Sequence, residues 1–254
     1  MEKKYRLLEN DTIMVNGTTL HRIEALKDFA DVKKGDKGGY VESEENLSHE
    51  GACWFFGDAW VSGNARVLGD ACVSDNACVS DNACVLGDAC VSDNACVSDN
   101  ACVFGDAWVY GNARVYGYAC VSDKACVSGK ACVSDNACVF GDAWVSGNAR
   151  VFDNARVFDN AWVSDKACVS GKACVSDNAL VYGYACVFGD AWVHGNARVY
   201  GYACVSDKAC VSGKACVSDN ACVFGDACVF GDAKVCGDAR IYEGEIESGV
   251  ITKK

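Results

Sequence analysis

A chain of 254 residues with 35 acidic against 23 basic side chains, a formal charge of −12, is poorly suited to nucleic acid or anionic membrane, which attract Lys/Arg clusters. No apolar run approaches the roughly 20 residues that span a bilayer, and the start MEKKYRLLENDTI lacks the apolar core of a signal peptide, so a cytoplasmic setting is expected. Proline is absent, which suggests a backbone in which nearly every N–H is used.

Residues 1–50 follow no repeat and form an expected N-terminal cap. YRLL and TIMVNGTTLHRI have the character of strands, with a hairpin at Asn16-Gly17. The glycine-rich GDKGGY, Gly35 to Tyr40, is not followed by a helix pattern; a cap turn is expected there rather than a phosphate loop.

From Gly51 to Tyr242 the chain repeats every six residues without an insertion, through 32 consecutive hexads. Each unit is Gly or Asp, then Asp, Asn, Lys or Tyr, then Ala-x-Val-x. The last four alternate with the strand period of two, which puts Ala and Val on one face and the two variable residues on the other. The leading pair is a corner, because Gly, Asn and Asp tolerate positive φ. Such a short strand cannot bury its apolar face alone. A triangular coil of three hexads per turn solves this, with Ala and Val inward, and gives about 10–11 coils.

In the first corner position Asp occurs twelve times, as at Asp75, Asp99 and Asp165, and the next residue is Asn or Lys, never Asp. Stacked corners would multiply repulsion between paired acids. After Ile241 the register slips, and residues 243–254, EGEIESGVITKK, are expected to close the last coil.

The hexad resembles the hexapeptide-repeat family, whose fold is the left-handed parallel β-helix. The handedness is implied by that resemblance alone. The segment from Leu26 to Phe56 resembles the leader of a group of bacterial and phage-borne hexapeptide-repeat proteins, through Asp28-Phe29, Asp31-Val32, Gly35, Gly38-Gly39-Tyr40, Leu47-Ser48, Gly51 and Cys53-Trp54. Members are often labelled acyltransferases on the strength of the fold.

Eighteen of the twenty cysteines directly precede the Val of a hexad and are expected to face outward as reduced thiols. The same slot holds all six tryptophans and six arginines, an exchange a metal site does not make freely. Columns at three-hexad spacing, Cys84, Cys102, Cys120, Cys138 and Cys168, Cys186, Cys204, Cys222, leave metal or redox chemistry as a lesser alternative. Disulfides along a column are expected to be strained, since in-register strands hold the side chains parallel.

Acyltransferases of the resembled class use a catalytic His and a loop thrown out of the coil. His21 and His49 fall in the cap, and only His194 lies in the repeat, in a slot that elsewhere holds Ser or Phe. No loop interrupts the hexads, so no cofactor is expected. Ice binding would need outward Thr columns, which are missing. The stretch DKACVSGKACVSDN begins at Asp123, recurs at Asp165, where Leu180 follows in a Cys slot, and begins again at Asp207, each time seven hexads on. That is not a whole number of coils, so each copy turns onto another face. The expectation is therefore an all-β, non-catalytic structural or interaction solenoid, with acyl-CoA-dependent acyl transfer as the alternative. The apolar column Leu68, Leu86, Phe104, Phe140, Phe158 is expected to mediate homo-oligomerisation.

Overall fold

Asn16 and Gly17 both adopt positive φ, 50° and 86°, and turn strand β1 (Tyr5–Val15) into strand β2 (Thr18–Ala25) as the expected hairpin. The pairing is antiparallel from Tyr5↔Ala25 to Val15↔Thr18, with a bulge between Leu8 and Thr12. Strand β3 (Lys37–Val41) lies antiparallel to β2 on one edge and parallel to Trp60–Val61 on the other, so it converts hairpin pairing into solenoid pairing. Glycine is required in β3: a Cβ on Gly39 would fall within 2.2 Å of the Ala59 carbonyl oxygen. The glycine run is thus only partly a turn. Gly35 turns, at φ 93°, while Gly38 and Gly39 let a strand approach the first coil.

The computed structural model describes residues 2–253, in a first unit ending at Asp123 and a second beginning at Lys124. Both units are parallel β-solenoids. In the first, twelve two-residue strands run from Trp54–Phe55 to Cys120–Val121. Each pairs in register with the strand three hexads on, as in Cys72↔Cys90, Cys78↔Cys96 and Cys84↔Cys102. In the second, the same spacing carries Trp144↔Trp162, Cys168↔Cys186 and Cys174↔Trp192. The period continues past Ile241 with a slip: Glu245–Ile246 pairs with Cys228–Val229, and Val250–Lys253 with Lys234–Gly237.

The alanines and valines of the hexads are buried, and the corners take left-handed backbone. The twelve corner aspartates sit at φ between 57° and 62° beside glycines of similar φ. An L-residue there costs about 1–2 kcal/mol, and Asp offsets this through its short side chain. Asp93 Oδ2 accepts from the Gly111 N–H at 2.9 Å, one coil on, and Asp177 Oδ2 from the Gly195 N–H at 2.9 Å.

Outside the strand-to-strand ladders, the backbone hydrogen bonds between coils run one way. The N–H of one coil donates to a carbonyl of the next, as Trp54 to Ala71 and Cys72 to Ala89. At its corners, alanines and valines the first coil therefore presents acceptors to the N-terminal segment, and that segment answers with donors. The backbone N–H groups of Tyr40, Glu42 and Ser48 reach the carbonyls of Ala59, Val61 and Val67. The buried Asn46 amide donates to Gly63 and Ala65. The buried Lys4 ammonium donates to Gly51 at 3.2 Å and Cys53 at 2.9 Å. A cap of this kind closes a sheet edge that would otherwise template association.

Two expectations about sulfur are corrected. The outward cysteines are half-buried rather than open to water, because each is flanked by its neighbours one coil away. Cys78 and Cys96 form a disulfide. Their Cα atoms are 4.8 Å apart, inside the range a disulfide accepts, so side-chain rotation alone brings the sulfurs together.

Candidate functional site

Three features of the outward lattice carry chemistry, and each follows from its offsets. The first surrounds His194, the residue after Val193. A residue in that slot has a corner residue 17 positions behind it and a strand residue 16 positions ahead. For His194 these are Asp177 and Cys210. Nδ1 lies 3.8 Å from Asp177 Oδ2, and Nε2 lies 3.5 Å from Cys210 Sγ. The Trp192 ring leans on the imidazole at 5.5 Å. The sequence singled out His194 but not its two partners, although the offsets name them. The order is that of a nucleophile, a base and an orienting carboxylate. Burial pushes the Cys210 thiol up from its ordinary value, and the neighbouring Cys228 thiol adds to the rise. The N–H groups of this ladder are committed: Cys210 donates to Ala227, and Ser212 to Val229. They are thus withheld from a developing oxyanion.

The second feature is the thiol columns. In the first unit Cys84 pairs in register with Cys102, and Cys102 with Cys120. Cys138 lies in the second unit, where its in-register neighbour is Arg156. There Cys168, Cys186, Cys204 and Cys222 stand in one file. The Cys168 thiol hydrogen-bonds Cys186, which lowers the Cys186 thiol to about 6 and pushes Cys168 up. Burial raises Cys204 to about 11. Among the described residues no three His, Cys, Asp or Glu side chains are grouped to hold one metal ion.

The third feature was missed at the level of sequence. In the second unit an open groove of about 740 Å³ is lined by Arg198, Lys214 and Lys234, with Tyr200, Ser218 and Asp219 beside them. Among the described residues none of the three cations makes an ion pair. The Asp219 carboxylate is engaged by the Gly237 N–H at 3.0 Å and the Ser218 hydroxyl at 3.4 Å. Three cations thus face solvent on a chain of charge −12. Beside the groove, aromatic side chains stack at the coil spacing. Tyr182 and Tyr200 lie 5.0 Å apart with nearly parallel rings, and farther along the Arg198 column Trp144 and Trp162 stack at 5.4 Å. Signals for the groove existed in the sequence, but only on a lattice three hexads wide: Arg198 and Lys234 share one column, and Lys214 occupies a corner next to it.

The apolar column divides between the units. Leu68 and Phe104 are exposed in the first, and the Phe140 and Phe158 rings stack at 5.0 Å in the second. Leu86 lies between Leu68 and Phe104, through the hydrogen bonds Leu68 N–H to Val85 and Leu86 N–H to Val103.

Against known families, the YdcK beta solenoid repeat matches residues 107–123 and 149–165, one segment in each unit and seven hexads apart. That spacing is the one at which the DKACVSGKACVSDN stretch recurs. The chain is similar to that repeat over these segments. No curated protein matches the chain.

Proposed function

We propose that this β-solenoid repeat protein is a non-catalytic interaction scaffold, and that the groove of Arg198, Lys214 and Lys234 docks an anionic group of its partner. One observation carries the reading: three cations without ion pairs share one groove on a strongly acidic chain. A local positive potential inside a negative field selects where an anion lands and repels it elsewhere. The tyrosine stack beside it adds a flat apolar wall. The test uses tripolyphosphate as probe in calorimetry. The native chain binds it, and exchanging Arg198, Lys214 and Lys234 for Gln weakens binding at least tenfold at low salt. Equal binding by the exchanged chain, or none by the native chain at millimolar probe, contradicts the reading.

The proposal takes the coil as left-handed and the chain as a cytoplasmic hexapeptide-repeat protein of the phage-borne kind. The hexad and the Leu26–Phe56 leader support this. It also takes the Leu68, Leu86, Phe104 column as the surface that a second copy covers, because Leu68 and Phe104 keep 37% and 39% of their surface exposed. Light scattering showing a monomer at all concentrations contradicts that part.

A second reading, acyl transfer, is favoured by one observation, the Asp177–His194–Cys210 alignment. His194 Nε2 is placed to take the Cys210 thiol proton and Asp177 to hold the imidazole. If this reading holds, the chain consumes acetyl-CoA, and either His194→Ala or Cys210→Ser abolishes the turnover. If the first holds, no turnover is seen in the native chain.

A further inference from the structure

The Cys168, Cys186, Cys204, Cys222 file is the longest run of in-register cysteines within one unit among the described residues. Its strands pair in register, so successive Cα atoms are about 4.8 Å apart. An equivalent pair in the first unit, Cys78 and Cys96, is disulfide-bonded at a Cα separation of 4.8 Å. On such a ladder the rotamers alone set the sulfur separation, from bonded contact up to about the strand spacing.

A linear sulfur–metal–sulfur bridge needs sulfurs two metal–thiolate bonds apart, about 4.6 Å with bonds of about 2.3 Å. The file reaches that without moving backbone. Tetrahedral coordination needs ligands converging from several directions, and a straight file on one sheet supplies only two neighbours to each midpoint. No third His, Cys, Asp or Glu is grouped there among the described residues. The geometry therefore selects soft, two-coordinate cations over zinc.

The ends of the file supply a second observation. Arg150 pairs in register with Cys168 at one end, and Arg240 with Cys222 at the other. Binding one monovalent cation between two thiols releases two protons and leaves a bis-thiolate complex of charge −1. Two such complexes carry −2, and the bracketing arginines carry +2.

We propose that this file binds two soft monovalent cations, Cu(I) or Ag(I), one between Cys168 and Cys186 and one between Cys204 and Cys222.

The test is an anaerobic titration of the fully reduced chain with Cu(I) against a colorimetric Cu(I) chelator. The native chain takes at least two tight equivalents, two of them in this file. Exchanging Cys168, Cys186, Cys204 and Cys222 for Ser removes both, with the circular dichroism of the fold retained. An unchanged tight stoichiometry in the exchanged chain overturns the proposal. X-ray absorption of the native complex shows two sulfurs per copper; three or more overturns the two-coordinate site. A readout without substitution uses N-ethylmaleimide and peptide mass spectrometry. Two equivalents of Cu(I) slow labelling of these four thiols at least tenfold before the other cysteines are affected. Protection spread evenly over all cysteines overturns the assignment.

Discussion

The Asn46 side-chain amide donates to the Ala65 carbonyl at 2.9 Å and to the Gly63 carbonyl at 3.0 Å, while its own oxygen accepts the Ser43 N–H at 2.9 Å. At Gly63 and Ala65 the first coil offers the cap acceptors, so this buried position needs a donor. Asn46→Asp keeps the shape and replaces the donor with an acceptor. Leaving two buried carbonyls facing a carboxylate costs about 2–4 kcal/mol. The new carboxyl has no cation within the contacts of Asn46, so its folded pKa lies above the unfolded value. Stability is therefore regained as pH falls through that folded pKa. Thermal melts at pH 4 and pH 7 check both parts.

The corner aspartates hold a left-handed backbone and a hydrogen bond at once. Asp153, at φ 61°, accepts the Gly171 N–H at 3.1 Å. Asp153→Ala loses the bond and keeps the strained φ, for a loss of about 2 kcal/mol. Asp153→Gly loses the bond but relaxes the φ, and costs under about 1 kcal/mol. Urea titrations of both variants separate the two contributions; equal losses would show that φ plays no part.

Adjacent residues of one strand should differ sharply. Val205 is fully buried, and Cys204 beside it is half-buried on the outward face. Val205→Ala opens a cavity worth about 2 kcal/mol. Cys204→Ser stays within about 0.5 kcal/mol. Chemical denaturation midpoints test the contrast.

Thiol reactivity should vary along the file. The Cys168 hydrogen bond lowers Cys186 to about 6, while burial raises Cys204 to about 11. The thiolate is the nucleophile. Between pH 7 and 8 iodoacetamide labelling of Cys186 is therefore nearly flat, while labelling of Cys204 rises about tenfold. The Cys168→Ala change moves Cys186 back toward the ordinary thiol value and restores its pH dependence. The linkage has a definite sign. Between about 6 and the ordinary value of 9.0 the folded chain holds fewer protons at Cys186 than the unfolded chain, so that group's contribution to stability grows as pH rises across this window.

The coil was legible because six-residue spacing fixes both pleat and corner: Ala and Val recur on one side almost without exception, and three hexads close one turn. The Asn16-Gly17 hairpin was legible from the dipeptide. The Cys78–Cys96 bond was not, because register brings many cysteine pairs to the same spacing and rotamers decide which closes. Lys4 and Asn46 gave no signal either. Their burial answers the carbonyls that the corners of the first coil turn toward the cap, which a residue pattern does not display. His194 was visible as a lone imidazole, but Asp177 and Cys210 become its neighbours only when offsets of 17 and 16 are drawn on the coil. Arg198, Lys214 and Lys234 likewise merge into one groove only in three dimensions.

The central claim is that Ala and Val line the interior while the sulfurs stay on the outer face. Native-state alkylation without reductant, counted by intact mass, tests it most directly. The account predicts seventeen labels on the folded chain, with Cys53 buried and Cys78 and Cys96 bonded. A chain that leaves most of those seventeen thiols unlabelled until denaturant is added would place the sulfurs inside and contradict it.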